Sequence, residues 1–196
     1  EVDTLIHESG AAQMEINFLH GDAIDLADQV FLFKRTMREA AHKHGIYATF
    51  MAKPMSDEPG SAMHIHQSLE DVNGHNLFGT ASGGNSEQFM HFIAGLQKYT
   101  PAVTALLAPN VNSYRRLTFG ESAPRNVQWG VENRTCGLRV PFSDPSARRV
   151  ENRFAGADAN PYLALAATLA CGYLGMMEKL EPMQEMKSSA YDLPYS

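Results

Sequence analysis

Gly60-Ser61-Ala62-Met63-His64-Ile65-His66-Gln67-Ser68 is the stretch on which the reading of this chain turns. Side chains alternate along a β-strand with a period of two, so a strand over 61–69 places His64, His66 and Ser68 on one face. Two imidazoles and a hydroxyl then enter the same space. Two surface histidines on an edge strand give the same pattern, so the stretch needs support from the rest of the chain.

That support begins downstream, where Arg149, Glu151 and Arg153 alternate on a strand ending at Phe154. Three charges along one face either meet water or line a polar site. Upstream, residues 11–18 alternate apolar Met14, Ile16 and Phe18 with polar Gln13, Glu15 and Asn17, which turns Glu15 away from the apolar set. Glu8 reaches the same cation as Glu15 only if the chain folds back through Gly10. A pair of unrelated surface acids is the plain alternative.

Between these segments lie the helices. Residues 22–44 carry apolar side chains at helical spacing, with Asp22 as N-cap and Gly45 as the stop. Residues 86–107 form a second helix, capped by Asn85 and kinked or divided at Pro101. Asn160-Pro161 opens a third, running to about Met177. Short strands are expected at 47–51, 61–69, 127–131, 135–140 and 148–154, with a hairpin near 70–77 around Asn73-Gly74. The Pro-, Asn-, Ser- and Arg-rich stretch 109–125 reads as a long loop, and the tail from 181 as loosely held.

With 196 residues, 44% of them hydrophobic, the chain can bury one sizeable core. Its formal net charge of -6 leaves no cationic excess for a nucleic-acid backbone, so a small-molecule substrate is favoured. Cys136 and Cys171 form no CxxC pair, which argues against a disulfide framework or thiolate zinc site and favours a reducing cytoplasm. No apolar run approaches a membrane span, and no signal peptide precedes the motifs. A start at Glu1 without methionine, running straight into motif-rich sequence, reads as a fragment or processed form.

Glu8, Glu15, His64 and Glu151 make a mainly carboxylate set suited to magnesium or manganese. It is short of ligands for two metals. Arg116, Arg134, Arg139, Arg149 and Arg153 add guanidinium forks suited to carboxylate and phosphate oxygens, and together they point to metal-assisted phosphoryl transfer. Taken singly, each arginine is equally well structural.

The ordered series His7-Glu8, Gln13-Met14-Glu15, Lys53-Pro54-Met55, Gly60 to His66, Asn112-Ser113-Tyr114-Arg115-Arg116, Asn133-Arg134, Ala147 to Phe154 and Asn160-Pro161-Tyr162 resembles glutamine synthetases in order and spacing. The resemblance covers nearly the whole chain. It implies that Glu8 and Glu15 bind the metal on the glutamate side and that His64 and Glu151 bind the metal on the nucleotide side. His66, Ser68, Arg139 and Arg149 then match nucleotide-binding positions. Gly60, Arg116, Arg134 and Arg153 match positions that hold glutamate or its acyl phosphate. The missing ligands would come from glutamates upstream of residue 1.

The implied fold is α+β, a curved, mainly antiparallel sheet flanked by helices, with the chain as a partial catalytic domain over 1–196 lacking the family's N-terminal small sheet domain. The implied reaction uses ATP and Mg2+ or Mn2+ to phosphorylate glutamate, after which ammonia or an amine displaces phosphate. Full-length relatives are expected to form homo-oligomeric stacked rings with sites between subunits. These 196 residues alone are expected to have little or no synthetase activity.

Two departures concern the second substrate. Ser122, beside Glu121, stands where ammonia-using members place a mobile-loop glutamate, and is taken with Arg116 and Arg134 as catalytic. Pro59 replaces an asparagine before Gly60-Ser61. With Trp129-Gly130-Val131-Glu132-Asn133-Arg134, these changes resemble γ-glutamylpolyamine and γ-glutamylputrescine synthetases, whose cationic amine would use aromatic and acidic contacts. An ammonia-using enzyme is the alternative, and a non-catalytic structural or ligand-binding relative is the rival from another class. Tyr191-Asp192-Leu193-Pro194 resembles an adenylylated segment of some bacterial members, but the match is short and a plain tail tyrosine is the reading taken.

Overall fold

In the computed structural model, which describes residues 1–118 and 123–193, six strands and four α-helices alternate along the chain. The first two strands, β1 (Val2–His7) and β2 (Met14–Phe18), form an antiparallel ribbon of their own. β3 (Ile65–Gln67), β4 (Trp129–Val131), β5 (Leu138–Val140) and β6 (Val150–Asn152) form the main sheet in the order β3-β6-β5-β4. Pairings β3–β6 and β6–β5 are antiparallel and β5–β4 is parallel.

Register divides this sheet into two faces. Ile65 lies opposite Asn152, Asn152 opposite Leu138, and Leu138 opposite Trp129, and all four are buried. Leu138, Val140, Val150 and Trp129 join Phe89 and Phe92 in the main core. One residue along, His66 lies opposite Glu151 and Glu151 opposite Arg139. Alternation therefore sends the apolar set inward and a charged row to the other face.

Helices α2 (Glu87–Leu107) and α4 (Pro161–Met177) build the far side of the core. A Cβ on Gly95 would meet the Cys171 carbonyl at 2.2 Å, and one on Gly175 the His91 carbonyl at 2.2 Å, so the two backbones touch where side chains would hold them apart. α1 (Ala23–Lys43) is capped by Asp22, which accepts from Ile24 N and Asp25 N, and ends before Gly45 at φ +69°. Asn160 caps α4 by accepting from Tyr162 N and Leu163 N. Both helices match their expected bounds.

Elsewhere the structure departs from expectation. β1 was not foreseen, and the strands of the main sheet are shorter than their apolar runs. Ser86, not Asn85, caps α2, because Asn85 Oδ1 accepts from Arg148 Nη1 at 2.7 Å. Pro101 sits inside one continuous helix, with Leu96 and Leu107 fully buried on either side of it. No strand forms at 47–51; Tyr47 is 98% exposed, and Phe50 packs edge-on against Phe33 of α1 and under the Arg38 guanidinium.

Much of the expected loop 109–125 is helix, α3 (Val111–Thr118), whose buried side carries Ser113 and Arg116 rather than apolar residues. The tail is strapped down. Trp129 Nε1 donates to Met183 O, Met186 N donates to Trp129 O, and Asn133 Nδ2 donates to the Met186 and Ser188 carbonyls. Cys136 and Cys171 are buried free thiols, and no helix among the described residues is long and apolar enough to cross a membrane.

Lys34 of α1 donates to Ala159 O at 2.9 Å, and burial, then the charge of Arg38, lowers its amine to about 8 against an opposing pull from Asp158. The unfolded chain therefore binds more protons at this site between pH 8 and 10.5, and stability rises with pH across that window. Lys34→Gln is expected to remove this alkaline rise, read from urea midpoints against pH. Gly95→Ala is expected to cost about 1–3 kcal/mol by overpacking, whereas Gly21→Ala, with nothing near its Cβ, stays within about 0.5 kcal/mol in the same titration.

Candidate active site

The charged face is built around Glu151, a carboxylate only 3% exposed. Arg153 Nη1 donates to Oε1 at 2.7 Å, Arg139 Nη1 donates to Oε2 at 2.6 Å, and His64 Nδ1 approaches Oε1 at 3.1 Å. Strand register explains the gathering. Arg139 faces Glu151 across the β5–β6 pair, Arg153 lies two residues along from it, and His64 flanks β3 two residues before His66, which pairs with Glu151.

Burial pushes the Glu151 carboxyl up, but the His64 contact, then Arg153 and Arg139, outweigh burial and hold it well below 4.5. Burial also lowers His64 below 6.5, against the hydrogen bond and charge of Glu151, with Arg153 and Arg116 adding to the lowering. A neutral His64 donates an Nδ1–H to Glu151 rather than bringing a charge. The compensating cations are therefore the two arginines.

His66 continues the row. Its imidazole is held below its ordinary value by surrounding protein and by Arg149, His64 and Arg139, with Glu151 opposing. Arg149 Nε donates to His66 Nδ1 at 3.3 Å, so the ring is an acceptor there. Ser68 lies just beyond β3 and is exposed. Thus His64, His66, Arg139, Arg149, Glu151 and Arg153 share one face, as the period of two requires.

Glu8 and Glu15 lie on the ribbon. Ile6 pairs with Glu15 and Glu8 N donates to Gln13 O, so both carboxylates occupy the same ribbon face. Gln13, on that face, donates to Gly60 O at 3.0 Å and Ser61 Oγ at 3.1 Å, tying the ribbon to the entry into β3. Among the described residues, however, no three His, Cys, Asp or Glu side chains gather at metal-binding spacing. Two of the four expected ligands meet, His64 and Glu151; the other two share a second platform.

Arg116 takes an unexpected place. It is 4% exposed and donates from Nη1 to Phe154 O at 2.9 Å and from Nη2 to Arg153 O at 2.8 Å, clamping the end of β6. Burial lowers it to about 10, so it stays charged at neutral pH. Gly60 packs on it, since a Cβ there would meet Arg116 Cγ at 2.7 Å. Lys53 N donates to Asn112 Oδ1 and Asn112 Nδ2 to Lys53 O, both at 2.8 Å, which staples the same loop to α3. Arg134 is exposed after β4, and Ser122 lies outside the described residues.

The sequence pattern described as the catalytic domain of glutamine synthetase matches residues 1–196. The chain belongs to the glutamine synthetase catalytic-domain family. It is 42% identical over 191 residues to the glutamine synthetase of Pyrococcus abyssi, covering 97% of this chain and 43% of that protein. It is 44% identical over 184 residues to the gamma-glutamylputrescine synthetase PuuA of Escherichia coli, covering 93% of this chain and 39% of that one. A solved GmaS–ADP complex matches with a TM-score of 0.88 at 34% identity, over 97% of this chain and 45% of the other. The chain thus spans well under half the length of these relatives.

Within this glutamine synthetase fold, Trp129 and Glu132 both have partners in the protein. Trp129 is buried with its Nε1–H spent on Met183 O, and Glu132 is paired with Arg139. Replacing Arg116 by Met keeps the aliphatic packing under Gly60 and removes both carbonyl bonds. The expected loss is about 3 kcal/mol, read as a lower urea midpoint; an unchanged midpoint contradicts the clamp.

Proposed function

We propose that this chain carries the phosphoryl-transfer face of an ATP-dependent ligase that joins the side-chain carboxyl of glutamate to an amine through γ-glutamyl phosphate. The observation that supports it most is the buried Glu151 carboxylate, held ionised between Arg139, Arg153 and a neutral His64. Such a group is costly to keep in a fold and suits a site that binds cations and phosphates.

The residues present fit a divalent cation and an anionic substrate. Glu151 with His64, and Glu8 with Glu15, offer carboxylate oxygens and one imidazole, the donors that magnesium and manganese accept. A carboxylate has about four acceptor sites, and three donors approach Glu151, so capacity remains. The Nε–H groups of Arg139 and Arg153 are buried and have no partner among the described residues, so the two guanidiniums are not fully satisfied by the protein. A bound divalent ion would supply Lewis-acid neutralisation of the phosphates.

The side chains then divide the work. Arg139, Arg149 and His66 hold the triphosphate end, with Ser68 at the rim. Arg153 steadies the glutamate carboxyl as it approaches an anionic phosphate, and preorganised positive charge offsets that repulsion. Arg116 orients Arg153 by gripping its carbonyl. Arg134, exposed after β4, reaches the acyl phosphate, and Ser122, which lies outside the described residues, keeps the part in the amine step that its place in the sequence gives it. A glutamine synthetase and a gamma-glutamylputrescine synthetase are similarly close in sequence, at 42% and 44% identity, so identity does not choose the acceptor.

The putrescine-type reading is supported by Ser122, Pro59 and the Trp129 to Arg134 motif, and by the likeness to the gamma-glutamylputrescine synthetase. Phosphate release by the intact protein with ATP, glutamate and ammonium, putrescine, spermidine or ethanolamine in turn decides it. Release dependent on glutamate and faster with a diamine than with ammonium is expected. Turnover with ammonium alone removes the polyamine reading, and no glutamate-dependent release with any acceptor removes the ligase.

A further inference from the structure

Arg139 has a second carboxylate partner. Its Nη2 donates to Glu132 Oε2 at 2.8 Å while its Nη1 donates to Glu151 Oε2 at 2.6 Å, so one guanidinium spans a buried acid and a half-exposed one. Glu132 is fixed in turn. Its Oε1 accepts from Phe142 N at 2.5 Å, its own N–H donates to Val140 O at 3.0 Å, and its backbone sits at φ +50°.

A non-glycine residue in the left-handed region persists where its surroundings over-determine it, and such positions concentrate at functional sites. Glycine or asparagine meets the turn's need more easily. A glutamate here calls for a reason beyond the turn.

We propose that Glu132 is a positioning residue that acts through Arg139 on Glu151, keeping the guanidinium shared so that Glu151 retains capacity for a divalent cation. This rests on the reading of Glu151 and His64 as metal-side groups. With Glu132 gone, Arg139 has one carboxylate partner left, and its fork settles on both oxygens of Glu151, the favoured geometry for such a pair. The carboxylate is then closed to other cations. A role confined to the turn would instead lower stability and leave the affinity of the folded protein unchanged.

Mn2+ affinity, measured by calorimetry or from the EPR signal of free Mn2+, tests this in the wild type and in Glu132→Ala, Glu132→Gln, Glu132→Asp and Glu151→Gln. Glu132→Ala and the nearly isosteric Glu132→Gln are expected to weaken binding about tenfold or more, with partial recovery in Glu132→Asp. In an Arg139→Met background, Glu132→Ala is expected to add nothing further, because its effect runs through Arg139. Unchanged affinity in both Glu132→Ala and Glu132→Gln, or an equal loss in the Arg139→Met background, overturns the role of Glu132 alone, provided Glu151→Gln still removes or weakens one Mn2+ site. Wild-type affinity in Glu151→Gln, or no Mn2+ binding by the wild type, removes the metal reading of Glu151 and this inference with it.

Discussion

A carboxylate removed from water must find compensating charge or lose its own, and the charged face of this fold is organised by that constraint on Glu151. Arg139 and Arg153 supply two cations to its two oxygens, and His64 adds a hydrogen bond. Buried ion clusters of this kind seldom add stability compared with an apolar core of the same volume. The fold has an apolar core available one residue away on the same strands, where Leu138, Val140 and Val150 are fully buried. Keeping a charge cluster on the opposite face is therefore best understood as a requirement of chemistry rather than of folding.

The cluster depends on backbone placed with little tolerance. β3, β6 and β5 bring His66, Glu151 and Arg139 into one row, and a slip of one residue would exchange that row with Ile65, Asn152 and Leu138. Arg116 fixes the end of β6 from behind by binding the carbonyls of Arg153 and Phe154, and Gly60 lets the 53–61 segment lie directly on its aliphatic stem. Asp158 accepts from Ser113 Oγ and Asn110 Nδ2, which moors α3. Polar bonds between distant segments thus position the site, while the glycine contact of α2 with α4 holds the core beneath it.

What could be seen in the sequence follows from this division. The period of two at His64 and His66, and at Arg149, Glu151 and Arg153, disclosed the shared face, because alternation is a local property. α1 and α4 announced themselves through apolar spacing and through Asp22 and Asn160, whose caps are also local. α3 was hidden because its buried side is Ser113 and Arg116, polar residues whose partners lie far along the chain. The tail was hidden for the same reason, since its order comes from Trp129 and Asn133 rather than from its own composition. Tyr47 to Met51 had the composition of a strand without a neighbour to pair with. Glu8 and Glu15 come to one face of the ribbon through its turn, and their relation to Glu151 is a matter of three dimensions that alternation alone does not reach.

The central claim is that the acid at the middle of this row takes a divalent cation together with His64 when nucleotide is bound. Anomalous diffraction at the manganese edge, from crystals of the protein grown with Mn2+ and ADP, measures this directly. A peak within coordination distance of both Glu151 and His64, with the ADP phosphates against Arg139 and Arg149, is the result expected. A peak remote from Glu151, with Arg139 and Arg153 still closed on its carboxylate, contradicts it.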